Sequence, residues 1–168
     1  MGALPTFLVE HAAAVPVALL LLVLGCAGLG LLVRRRPRAT AWLLAAALLP
    51  VVGLTLAPDG RGRRAEQWCQ AGFSLPSLGS VELLANVALF VPAAVFGVLL
   101  LRRPVLVVLG GSALSAAVEV VQASAPALGR SCTTDDWAMN TAGTIVGVLV
   151  GVLVGSPLPG VGRIRRRG

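Results

Sequence analysis

RSCTTDDWAMNTAGTIVGVLVGVLVG, residues Arg130 to Gly155, decides the fold. It opens with an arginine and two acids, Asp135 and Asp136, and then runs apolar or small, interrupted only by Asn140, Thr141 and Thr144. Glycine recurs at every fourth position, Gly143, Gly147, Gly151 and Gly155. That spacing lines the glycines along one helix face. A helix apolar all round reads as a membrane span, and a stripe of small residues lets another helix come close. The stripe suits packing within one bundle or a contact between two copies. Asp136 and Asn140 lie one turn apart on the same face, and their burial in hydrocarbon is costly unless partners meet them.

The chain is too apolar for an ordinary soluble domain: 57% of its 168 residues are hydrophobic and 12% charged. Its net charge of +7 is carried by arginines in short clusters between apolar runs, with no lysine at all. Such clustering sets membrane topology and does not read as a nucleic-acid surface. An arginine-only basic set with abundant Ala, Val, Leu and Gly fits a GC-rich bacterial genome. Residues 1–13 carry no positive charge, so the first apolar run reads as a retained helix and not as a cleaved signal.

Five spans are expected, roughly Ala14–Val33, Ala39–Ala57, Val81–Leu101, Val105–Ala123 and Asp136–Gly155. The expected class is therefore an all-α integral membrane helical bundle of about five transmembrane helices. Residues 1–38 would hold the first helix and a basic turn, 39–155 the main transmembrane domain, and 156–168 a basic tail. Ten arginines fall on one side of such a bundle (34–36, 38, 102, 103, 163 and 165–167). Four fall on the other (61, 63, 64 and 130). The excess assigns the first side to the cytoplasm of a bacterial membrane, with the N-terminus outside and the C-terminus inside. All seven acids then lie at or near the outer side. Trp42, Trp68 and Trp137 fall near expected interfaces, as belt aromatics do.

Polar residues gather at one depth. Glu82 and Asn86 open the third span, Ser112, Ser115, Glu119 and Gln122 form a stripe on the fourth, and Asp136 and Asn140 open the fifth. Two readings stand side by side, an outward-open polar pocket or a hydrogen-bonded clasp that fixes helix packing. Arg130 is near enough in sequence to neutralise Glu119 or Asp136, or to meet a phosphate or carboxylate on a ligand. Glu119, Asp135 and Asp136 offer oxygens that a divalent cation would accept, but no spacing is diagnostic, and no cofactor is expected. Cys26 reads as a packed apolar residue, whereas Cys69 and Cys132 lie in two outer loops where an oxidising compartment permits a disulfide. His11, the single histidine, reads as a tail residue, and no hydrolase triad, phosphate loop or zinc spacing occurs.

With these residues in view the chain resembles the VanZ-like family of bacterial membrane proteins over roughly residues 40–153. The resemblance rests on ELLANVALFVPAAVFG (82–97), EVVQ (119–122) and GRSCTTDDWAMNTAGTIVG (129–147). By position it implies Asn86, Glu119, Gln122, Arg130, Asp136 and Asn140 as signature polar residues, with Gly143 and Gly147 as the glycine pair. Family members often carry a further acid before the Asp-Asp pair, where this chain has Ser131 to Thr134. The loop cysteines stand outside the pattern. The founding type is associated with low-level resistance to teicoplanin, which is a phenotype and not a reaction.

The sequence therefore leaves three functions open. The first is a non-enzymatic envelope protein that binds an envelope lipid, a cell-wall precursor or an anionic ligand through Asn86, Glu119, Gln122, Arg130, Asp135, Asp136 and Asn140. The second is a membrane enzyme acting on a lipid head group with a carboxylate base. The third is a purely structural subunit. Oligomeric state is not legible.

Overall fold

A computed structural model describes residues 12–56, 80–125 and 132–156. A short 3-10 turn, Ala12–Ala14, leads into α1, Val15–Val33. There follow α2, Pro37–Leu56, α3, Val81–Leu101, α4, Pro104–Ser124, and α5, Thr134–Gly155. All five contain an apolar stretch long enough to cross a bilayer. The chain is an all-α, multi-pass membrane bundle.

Local chemistry fixes the helix ends. Pro16 in α1 and Pro104 in α4 occupy first turns, where the missing N–H costs nothing. The expected fifth span gains two residues at its start because Thr133 caps it: its Oγ1 accepts from the Asp136 N–H at 3.1 Å. Asp135 and Asp136 therefore sit in the first turn, where a carboxylate is favoured by the helix dipole. Likewise α2 and α4 begin at Pro37 and Pro104, slightly before the expected bounds, because proline starts a helix well. Between α3 and α4 the chain turns through Arg102, which takes a left-handed φ of 53°.

The bundle is built around α3, the most buried span. Its most extensive partner is α5, and the glycine stripe makes the contact. A Cβ at Gly143 would strike the Val87 carbonyl oxygen. One at Gly147 would lie 2.5 Å from Val91 O, one at Gly151 2.9 Å from Val95 O, and one at Gly155 3.4 Å from Leu99 Cδ2. Partners that advance by four residues along both helices describe two parallel helices in close register. The stripe thus serves packing inside the bundle. Towards the Gly155 end, Val91, Val95, Phe96 and Leu99 of α3 join Cys26 of α1 and Val154 of α5 in the main apolar core.

On the other flank α4 runs antiparallel to α5. Gly111 leaves room for Thr144, whose Cγ2 would lie 2.5 Å from an added Cβ. Many other apolar side chains point outward, Leu32, Leu109, Val120 and Leu153 among them, as lipid-facing residues do. Trp42, 76% exposed, stands near the start of α2.

Candidate functional site

The inner face of α4 is polar. Its buried residues are Ser115, Glu119 and Gln122, while Val105, Leu106, Leu109 and Val120 are exposed. A helix in lipid can take this inverted arrangement only if the inward polar groups find partners. Those partners come largely from α5. Asn140 Nδ2 donates to Ser115 Oγ at 3.0 Å in the buried layer. One turn nearer the helix ends, the Thr133 N–H donates to Glu119 Oε2 at 3.0 Å. Thr133 therefore joins two jobs, capping α5 through its side chain and tying Glu119 down through its backbone.

Flanking bonds also tie α4 to α5. Trp137 Nε1 donates to the Ser112 carbonyl at 3.2 Å, and Thr141 Oγ1 donates to Ser112 Oγ at 3.3 Å. From the third helix, Asn86 Nδ2 donates to Asp136 Oδ1. Three helices thus meet through side chains at one end of the bundle: α3 by Asn86, α4 by Ser115 and Glu119, α5 by Asp136 and Asn140.

Asn140 is 4% exposed, and with Nδ2 committed to Ser115 its Oδ1 is buried without a partner. A buried carbonyl oxygen without a donor costs on the order of 1–3 kcal/mol. Glu119, 7% exposed, receives the backbone bond described above.

The expected site residues thus distribute as follows. Asn86, Glu119, Asp136 and Asn140 are gathered into one layer. Gln122 is buried on the same face of α4, one turn beyond Glu119, and Asp135 is partly buried at the head of α5. Arg130 and Cys69 lie outside the described residues, as do His11 and Trp68. Cys132 is disulfide-bonded and buried, and Cys26 is free. Among the described residues no three His, Cys, Asp or Glu side chains group in a way that could hold a metal ion. Sequence reasoning missed Thr133, whose signal is the Thr-x-x-Asp spacing of an N-cap. It also missed the Gly111–Thr144 fit, for which the sequence carries no distinctive signal.

The family model described as VanZ/LLP1 matches residues 55–155, which include the whole of α3, α4 and α5 and every group in this layer. The chain belongs to the VanZ/LLP1 family. The match begins later than the resemblance suggested and leaves α1 and most of α2 outside it. No curated protein and no solved structure matches the chain. For this VanZ-like protein the family match and the polar layer coincide in three helices, with α1 packing on α3 from outside that unit.

Proposed function

We propose that this VanZ-like protein binds the head group of a cell-envelope lipid in a polar pocket between α3, α4 and α5, facing outward from a bacterial cytoplasmic membrane. The inverted burial of α4 carries this reading: its buried residues are Ser115, Glu119 and Gln122. Packing alone is served more cheaply by a carboxamide than by a carboxylate at Glu119, because a charge costs more to desolvate. The arginine excess at the opposite helix ends supports the outward orientation. The Asn86 and Asn140 amide N–H groups donate within the layer, to Asp136 and Ser115, and the Asn140 amide oxygen is left without a donor, so a ligand that donates hydrogen bonds suits the layer better than an anion. An anionic ligand would depend on Arg130.

The test compares Glu119→Gln and Asp136→Asn with the parent in a host lacking its own copy. Membrane yield and sensitivity to teicoplanin are followed together. A working pocket keeps yield and loses the phenotype. If both variants fail to accumulate, the layer is a structural clasp and the pocket reading falls.

A further inference from the structure

Asn140 Oδ1 is an acceptor with no donor, deep in the bundle. Ser115, its neighbour on α4, is fully buried and lies one turn from Glu119 on the same helix face. Glu119 is itself 7% exposed, and the bond described to it comes from a neutral backbone N–H. A carboxyl group buried as its anion calls for a compensating charge. Among the described residues, the Glu119 carboxyl on α4 and Asn140 Oδ1 on α5 are therefore two buried acceptors near Ser115 that call for a further donor and a positive charge. A protonated primary amine supplies both, with three N–H donors on one compact cation. We infer that the group held between Glu119 and Asn140 is a protonated primary amine borne on a lipid. This rests on the pocket reading above and deepens it.

The lipid source follows from the same helix pair. Further along the α4–α5 seam, away from the polar layer, an open groove of about 320 Å³ is lined by Val105, Val108 and Leu109 of α4 with Ile145, Val148 and Leu149 of α5. Its lining is wholly apolar. An amine at Glu119 and a hydrocarbon chain along this seam are the two ends of one amphipathic molecule.

The test uses the purified full-length protein in detergent micelles and native mass spectrometry of bound lipid. Phosphatidylethanolamine competes against phosphatidylcholine, whose head group has the same charge but no N–H, and against anionic phosphatidylglycerol. Soluble glycerophosphoethanolamine supplies the amine without chains. Retention of phosphatidylethanolamine about tenfold or more above phosphatidylcholine is expected, the size of a charge-assisted hydrogen bond. Glu119→Gln and Asn140→Leu should each erode that preference. Equal retention of phosphatidylethanolamine and phosphatidylcholine overturns the amine inference and leaves the lipid-pocket reading standing. Preference for phosphatidylglycerol overturns it in favour of an anion site. Binding of the soluble head group as tightly as the lipid overturns the lipid-borne part, and retention of no lipid overturns both readings. The comparison of lipids on the parent decides the matter even where a variant fails to fold.

Discussion

At Thr133 one residue serves both the α5 terminus and the candidate site. Its hydroxyl oxygen satisfies the Asp136 N–H at 3.1 Å, and its own N–H satisfies Glu119 Oε2 at 3.0 Å. The first contact is lost on removal of the side chain, whereas the second belongs to the backbone. Thr133→Ala should therefore destabilise the protein by about 1 kcal/mol, the usual worth of an N-cap. Thr133→Ser, which keeps the acceptor, should stay close to the parent. Thermal unfolding in detergent micelles separates them, and equal losses from both variants would mean that the methyl group and not the cap carries the effect. Because the cap fixes the start of α5, the alanine variant should also loosen Glu119, seen as faster hydrogen exchange at the Thr133 position in a helix that otherwise holds.

Among the elements, α5 shows how a small-residue stripe is graded along its length. An added Cβ meets backbone oxygen at Gly143 and Gly147, whereas at Gly155 it reaches only Leu99 Cδ2 at ordinary contact distance, 3.4 Å. Backbone in a central helix cannot give way as the tip of a leucine can. Gly143→Ala and Gly147→Ala should each cost about 1–3 kcal/mol, as overpacking does. Gly155→Ala should stay within about 0.5 kcal/mol of the parent. Folded yield and thermal unfolding of the three variants check the order, and equal tolerance at all three positions would contradict the α3–α5 register. The stripe was legible in the sequence because its period matches the helix. Its partner was not, since spacing tells that something comes close but not whether it is α3 or a second copy. The polar face of α4 was equally legible, because Ser112, Ser115, Glu119 and Gln122 recur at steps of three and four. That these polar groups supply the buried residues of α4 emerged only once α5 was set against it. Thr133 escaped notice, despite its Thr-x-x-Asp spacing, because the expected span began at Asp136 and left Thr133 in the loop.

For the whole molecule, the two ends of the bundle differ in kind. At one end Arg34 in the α1–α2 turn donates through Nη1 to Val154 O at 3.1 Å and Ser156 O at 3.4 Å. It satisfies carbonyls that a helix terminus leaves open and places a cation at the negative end of the α5 dipole. This contact is not legible in the sequence, where Arg34 reads only as topological charge. Arg102 and Arg103 lie in the turn between α3 and α4 on that same side, while Glu82, Glu119, Asp135 and Asp136 all lie at the opposite helix ends. The arginine end is expected in the cytoplasm, since arginine in short loops resists translocation. Glu82 and Arg103 are both exposed and mark opposite ends of the molecule. In intact cells whose native thiols have been blocked by replacement, Glu82→Cys should react with a membrane-impermeant maleimide, and Arg103→Cys should react only after lysis. The reverse pattern would turn the polar layer towards the cytoplasm, and the pocket could then meet only ligands presented from within. Reaction of both sites in intact cells would mean that the two ends do not lie across a membrane from each other, which the length and apolarity of the five helices argue against.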